Sequence, residues 1–397
     1  MNYLNKKSIT DISVKNKIVF LRCDLNVPLD SKLNIIDTKK IDESLKTIKY
    51  LIENNSKIII CSHLGRPTSK NDSKFSLKPI ANYLSKVLGK EIKLLPEIEG
   101  ENTKKTIAKL NFGDVCMLEN IRFDERECEN DENFSKYLAS LADVYINDAF
   151  AVCHRAHAST VGITKYLPSA CGFLVEKEIK ILGGALKSPK RPFVAILGGA
   201  KISDKIEVIN NLMEKVDALI IGGGMSYTFT NALGYSVGDS ICEKDKISLA
   251  KDIMAKAKEK GVKILLPLDN VVGLKYSADT EFKTVDSDKI PNGWTGLDIG
   301  PKTVKLFSET ILKAKTIIWN GPLGVYEWKN FQKGTAGIAR AVANSKATSI
   351  IGGGDSAAAI QNLGFKDKVT HISTGGGATL KFLEGKSFPA LKAIDEK

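Results

Sequence analysis

The chain has 397 residues, 43% of them hydrophobic, with a formal net charge of +12. That length exceeds a single core, so about two domains of ~150–200 residues are expected, with the apolar content of a globular protein. The start MNYLNKKSITD lacks an apolar h-region and no apolar run approaches the ~20 residues of a membrane span, so the sequence reads as cytoplasmic. Excess positive charge invites a nucleic-acid reading. However, 51 of the 58 basic residues are Lys spread over the whole length, with no dense basic block and no interleaved aromatics, which is the pattern of solvated faces. The seven cysteines are odd in number, contain no C-x-x-C pair and mostly lie in or beside apolar runs, as reduced buried thiols do.

In chain order, the first half carries the apolar, β-branched runs KIVFLRCDLNVP, KIIICSHLGRP, DVCMLENIRF and DVYINDAFAV. The second half carries FVAILGG, ALIIGGG, KILLPLD, TIIWNGP, TSIIGGGD and VTHISTGGG. Segments of helical period separate most of them, such as Ser203–Val216 with Ile206, Ile209, Leu212, Met213 and Val216 on one face. Strand–helix alternation predicts an α/β protein of two doubly wound, Rossmann-like parallel sheets. The segment from Pro168 to Pro192 reads as one helix joining the domains. The expected division is residues 1–169, an interdomain helix over 170–186, a second domain over 187–374, and a C-terminal segment over 375–397 that returns to the first domain.

In open α/β sheets ligands bind outside the carboxyl ends of the strands. In the first half those positions hold Arg22, Asp24 and Asn26; His63 and Arg66; Arg122; and Arg155 with His154 and His157. Arg is scarce here, and four of the seven fall at successive strand ends, which predicts an anion site suited to phosphate or carboxylate. His63 could be a general base, although each histidine taken alone is more simply structural. The cup otherwise lacks a base, which suits a carboxylate nucleophile already ionised at pH 7 better than a hydroxyl.

In the second half the strand ends are glycine pairs and triplets: Gly198-Gly199, Gly222-Gly223-Gly224, Gly352-Gly353-Gly354 and Gly375-Gly376-Gly377. Glycines that lead into helix N-termini bring backbone N–H groups to phosphate, so a nucleotide or polyphosphate site is expected. The spacing is not that of a P-loop. Lys201 and Lys205 are read as one face of the first turn of a helix, where only a bound anion would offset their conflict with the helix dipole. Asp355 would repel phosphate unless Mg²⁺ lies between them; it can equally be an N-cap.

These motifs together resemble the phosphoglycerate kinase family from end to end. They stand here as RCDLNVP, SHLGRP, LENIRF, NDAFAVCHRAH, GGAKISDKI, IIGGGM, LPLD, GLDIGP, WNGPLGVYE, GGGDSAAA and STGGGATLKFLEGK. The resemblance implies a monomeric hinge enzyme that transfers a phosphoryl group between 1,3-bisphosphoglycerate and Mg-ADP, giving 3-phosphoglycerate and ATP. It implies no nucleic-acid or membrane partner. Carried over by position, Asp24, Leu25, Asn26, His63, Leu64, Gly65, Arg66, Arg122 and Arg155 would form the triose-acid site, with Arg22 in the same basic patch. Lys201 and Gly376 would act on the transferring group, Gly376 within the Gly375–Gly377 set of backbone donors. Lys205, Gly199, Gly222, Gly223, Gly296, Leu297, Glu327, Gly353, Gly354 and Ser356 would hold the nucleotide, with Asp355 as the Mg²⁺ carboxylate.

One position departs from the family. In DTKKIDESLKTI the family carries an Arg that helps to bind the triose acid and stabilise the transferring group. Aligning LKTI with the family's Leu-Pro-Thr-Ile places Lys40 there and Lys46 at the proline; a register one residue earlier gives Lys39. Either way the planar fork is lost. Two other readings are a kinase-like binding protein weakened at Lys40, and a polyanion binder. The retained lysines and Asp355 argue against the first, and the scarcity of Arg outside the strand-end loops against the second.

Overall fold

The computed structural model describes residues 3–69 and 72–397. The chain divides into two compact units, Met1–Gly183 with Ser387–Lys397, and Gly184–Lys386.

The first unit is built on strands β1 (Ile18–Cys23), β2 (Lys57–Cys61), β3 (Ile92–Leu95), β4 (Val115–Leu118), β5 (Val144–Asp148) and β6 (Ser169–Cys171). They form one parallel sheet in the order β3-β4-β2-β1-β5-β6. Alternate residues of each strand enter opposite cores, as the two-residue period of a strand requires. Val19, Leu21, Ile58, Ile60, Val144 and Ile146 join one cluster. Phe20, Ile59, Cys61 and Tyr145 join the other. Burial on both faces explains why these segments read as continuous apolar runs. The chain winds outward from β1 to β2 and then returns to β5 on the other side, so the switch point lies between β1 and β5.

The second unit holds β7 (Phe193–Leu197), β8 (Ala218–Ile221), β9 (Lys263–Leu265), β10 (Asp269–Gly273), β11 (Phe282–Asp286), β12 (Thr295–Ile299), β13 (Thr316–Asn320), β14 (Thr348–Gly352) and β15 (His371–Ile372). Six of these form a second parallel sheet, β15-β14-β13-β7-β8-β9, whose switch point falls between β7 and β13. The other three make a small antiparallel sheet, β11-β10-β12, which sequence periodicity did not reveal. Its edge strand Phe282–Asp286 is largely solvent-facing and lacks an apolar run.

The connecting segment and the C-terminal boundary differ from the sequence reading. The connecting segment begins as strand β6, becomes helical only at Phe173, and is interrupted by a π-helical turn over Ile179–Gly183 before Gly184–Lys187. Asp148 Oδ1 accepts the N–H groups of Leu174 (2.8 Å) and Val175 (3.3 Å) and so fixes where that helix starts. At the C-terminus, Gly375–Lys386 cluster with the second unit, and only Ser387–Lys397 belong to the first. There Lys6 Nζ donates to the carbonyls of Lys392 (2.9 Å) and Ile394 (2.8 Å), and Ser169 donates to the Asp395 carboxylate.

Candidate active site

In the first unit, Asp24 is 6% exposed at the end of β1 and takes Lys40 Nζ on Oδ2 at 2.7 Å. Its other oxygen lies 4.0 Å from His63 Nδ1. Lys40 occupies the second position of the helix Lys39–Glu53, so that helix brings its charge to the strand ends. Two loops are tied together across this edge. Asn26 Oδ1 accepts the Gly65 N–H at 2.9 Å, and Arg122 Nη1 donates to the Gly65 carbonyl at 2.7 Å. Gly65 has φ +59°, and a side chain there would collide with the Phe75 ring, so only glycine fits.

Arg122 Nε is buried and bonded to nothing, an orphan donor of the kind a bound anion satisfies. Burial, then the nearby Arg22 and Arg155 charges, pull the Arg122 pKa down. Crowded, desolvated cations gain when an anion arrives. Arg155 donates Nε–H to His154 Nε2 at 3.2 Å, and Arg66 stands exposed at the rim. Burial, followed by the charges of Arg22, Arg122, Lys40 and Arg155, holds the His63 pKa well below its usual value. His63 is therefore a neutral ring near pH 7 and not a base tuned to that pH.

Three of the residues expected to touch substrate do something else. Arg22 is fully buried and donates to Ser159, to the Cys23 carbonyl and to His63. Strand parity points it into the core with Phe20 rather than outward. Leu25 and Leu64 put their side chains in the core, and their N–H groups are taken by Ser62 Oγ (2.9 Å) and Asn120 Oδ1 (3.2 Å). Asn120 was not singled out, although it lies within LENIRF. It is fully buried, and it also donates to the carbonyls of Leu64 (2.8 Å) and Phe75 (2.9 Å), which orders the loop after β2.

In the second unit, the helix after β7 spans only Ile206–Met213. Lys201 lies in the preceding loop and Lys205 is the N-cap residue, so the two do not share a helix face. The loop is held from outside: Glu243 accepts the Ser203 hydroxyl at 2.6 Å and its N–H at 3.1 Å. Lys201 is exposed, whereas Lys205 is half-buried and its ammonium donates to Asn320 Oδ1 at the end of β13. Burial lowers the Lys205 pKa, and the Asp204, Glu384 and Asp355 charges oppose that shift.

The glycines fall into two kinds. Gly198 and Gly223 let loops touch backbone to backbone, and Gly222 makes room for the Leu323 side chain. Their N–H groups go to the carbonyls of Asn320 (3.0 Å), Leu197 (3.0 Å) and Leu323 (3.2 Å), and are not offered to a ligand. A Cβ on Gly223 would lie 2.8 Å from both the N and O of Gly199. By contrast, Gly354, Gly376 and Gly377 have nothing within 4 Å of a would-be Cβ, and Gly353 (φ +91°) and Gly376 (φ +51°) are the N-caps of helices Gly354–Asn362 and Gly377–Leu383. Asp355 is exposed in the first turn of the former; the cap being Gly353, Asp355 is not the cap. Ser356 is buried and its hydroxyl accepts the Gly321 N–H at 2.6 Å, a tie between loops. Gly296 stands against the Tyr227 ring, Leu297 is buried on β12 and Glu327 is exposed.

The phosphoglycerate kinase family model matches residues 9–386. The chain is 55% identical to the phosphoglycerate kinase of Clostridium novyi over 397 residues, covering 99% of this chain and all of that one. It is also 55% identical to that of Clostridium botulinum strain Alaska E43 over 399 residues, covering both chains completely. The solved phosphoglycerate kinase of Coxiella burnetii matches with a TM-score of 0.91 at 40% identity over 98% of each chain. That of Pyrococcus horikoshii matches with 0.83 at 34%, again over 98% of each.

The chain belongs to the phosphoglycerate kinase family.

As a phosphoglycerate kinase it is a glycolytic phosphotransferase, moving a phosphoryl group reversibly between 1,3-bisphosphoglycerate and ADP. That reaction is consistent with first-unit strand ends that gather Arg122, Lys40 and Arg155 around a His63 not tuned as a base near pH 7. The attacking group is a carboxylate, so there is no proton to remove, and catalysis falls to positioning and charge stabilisation.

Proposed function

We propose that the first unit binds the triose acid and the second binds Mg-ADP or Mg-ATP. The observation that carries the first half is the buried, unbonded Arg122 Nε beside Asp24, Lys40 and a neutral His63. Arg66, Arg122 and Arg155 take the carboxylate and phosphate of the triose acid, while Asn26 and Gly65 hold the loops that carry them. In the second unit, Lys205 takes the nucleotide phosphates and Lys201, exposed on its loop, follows the transferring group. Gly353, Gly354 and the Gly375–Gly377 turn allow close approach of phosphate to two helix N-termini. Gly199, Gly222 and Gly223 shape the phosphate loop from beneath, and Gly296, Leu297 and Glu327 the nucleoside end.

The residues present fit Mg²⁺. Asp355 is an exposed carboxylate in the same charge neighbourhood as Lys205, and among the described residues no group of three His, Cys, Asp or Glu could hold an ion alone. Mg²⁺ characteristically takes one or two carboxylates and completes its shell with phosphate oxygens and water. Bound there, it would neutralise phosphate charge; Asp355 would be its protein ligand.

Because the triose-acid and nucleotide residues belong to different units, we include hinge motion in the proposal and assign it to the π-helical turn Ile179–Gly183. A cytoplasmic monomer completes the reading, supported by seven cysteines that are all free thiols. Among the described residues no helix is long and apolar enough to cross a membrane. Asp355→Asn tests the metal assignment by titration calorimetry. Mg-ADP affinity should fall by about tenfold or more while metal-free ADP affinity holds; equal changes in both would reduce Asp355 to a structural residue.

A further inference from the structure

Arg22 is a fully buried guanidinium, and its bonds have a direction. Its Nε–H meets Ser159 Oγ at 2.9 Å, one Nη donates to the Cys23 carbonyl, and the other reaches His63 Nδ1 at 3.3 Å. Behind Ser159 lies Glu127, also fully buried. It accepts the Ser159 hydroxyl on Oε1 at 2.7 Å and the Ser159 N–H on Oε2 at 2.8 Å. A hydroxyl has one proton. Here it goes to Glu127, so the lone pairs face Arg22. Burial alone would raise the Glu127 pKa, but His157, whose Nδ1 lies 3.6 Å from Oε1, the Arg22 charge and the Ser159 bond together lower it, which keeps the carboxylate as the buried countercharge.

The far end of this chain decides a tautomer. Arginine has donors only, so His63 Nδ1 must supply the lone pair and the ring proton must sit on Nε2. A competitor is at hand. Asp24 Oδ1 lies 4.0 Å from the same Nδ1 and would draw a proton onto it if Arg22 withdrew. We propose that Ser159 and Glu127 are positioning residues: by holding Arg22 against Nδ1 they fix His63 as the neutral Nε2–H tautomer, so that it donates to the bound triose acid. The inference rests on the proposed place of His63 in the triose-acid site.

The chain contains only four histidines, which makes ring-nitrogen NMR practicable on the whole enzyme. With ¹⁵N-labelled imidazoles and His63→Gln to assign the signal, His63 should show an unprotonated Nδ1. In Ser159→Ala, Nδ1 should become protonated. The KM for 3-phosphoglycerate should rise about tenfold, the loss expected for one hydrogen bond to a charged ligand, while the KM for ATP stays put. Ser159→Thr, which keeps the hydroxyl, should restore both readings. Glu127→Gln should shift the ring in the same direction and serves if Ser159→Ala fails to fold. An unaltered Nε2–H signal in Ser159→Ala or Glu127→Gln overturns the inference. If instead His63→Gln leaves the KM for 3-phosphoglycerate unchanged, the placement of His63 in the site fails, and the ring signal still decides whether Ser159 sets the tautomer.

Discussion

Replacing Lys40 by Ala and by Arg separates charge from geometry at the proposed triose-acid cup. Lys40 Nζ lies 2.7 Å from Asp24 Oδ2, with the lysine 32% and the aspartate 6% exposed. At that distance and an effective dielectric near 20 the gross attraction is about 6 kcal/mol. Desolvation of both ions and screening of the partly exposed ammonium cancel most of it, leaving about 1–2 kcal/mol. Lys40→Ala strands a nearly buried carboxylate, so urea denaturation of the first unit should show a loss of that size, or a Tm lower by roughly 2–8 °C. Lys40→Arg should behave differently. The guanidinium can keep Asp24 on one edge and present another to the phosphoryl group, whose charge in transit lies on three equatorial oxygens. One better-directed charge-assisted bond, about 1–2 kcal/mol, gives roughly 5- to 30-fold in kcat with little change in KM for the triose acid. The assay is ATP formation from 1,3-bisphosphoglycerate. A kcat that is unchanged or lower in Lys40→Arg, with stability intact, would refute the reasoning and show that the lysine already does what a fork would do here.

The two lysines of the second unit should part company: Lys205→Ala raises the KM for ADP, while Lys201→Ala lowers kcat by about 10²–10³-fold, and small equal effects on both would reverse those roles. The two kinds of glycine should also separate. Gly223→Ala forces a Cβ into the Gly199 backbone at φ +68° and should cost the second unit about 2 kcal/mol or more in urea denaturation, whereas Gly354→Ala should leave stability near wild type and weaken ADP binding. Burial pushes the Asp148 carboxyl up to about 6. The native state then holds a proton that the unfolded chain has released between about pH 4 and 6, so this group makes the protein less stable as pH rises through that window, by up to about 3 kcal/mol. Asp148→Asn should flatten that part of the stability–pH curve, and an unchanged slope would mean that the carboxyl ionises normally.

Much of this was legible in the sequence because parallel sheets bring their strand ends to one edge. Asp24 with Asn26, His63 and Arg122 come from three strand ends distant in the chain but adjacent in the fold for that reason alone, and the apolar runs marked where to look. The glycines were less legible. Gly223 and Gly354 both follow an apolar run at the entry to a helix, yet one allows two backbones to touch and the other opens onto space. Single-residue identity does not encode which, since the difference lies in what another loop places opposite. The Lys201–Lys205 spacing misled for a similar reason. A four-residue interval implies a shared face only inside a helix, and here a turn anchored by buried Ile202 and clamped by Glu243 occupies the interval. Arg22 is the case in which a signal was present. It follows Leu21, which belongs to one core, and shares strand parity with Phe20, which belongs to the other. An arginine in the middle of an apolar strand, at inward parity, needs buried partners, and the partners had to be an acid and hydrogen-bonding groups brought in from elsewhere. Glu127 and Ser159 are those groups, and they lie among helices and turns that carry no strand-end mark. The residues proposed to touch ligand were therefore readable from topology, whereas those proposed to orient them are readable only from three-dimensional bonding.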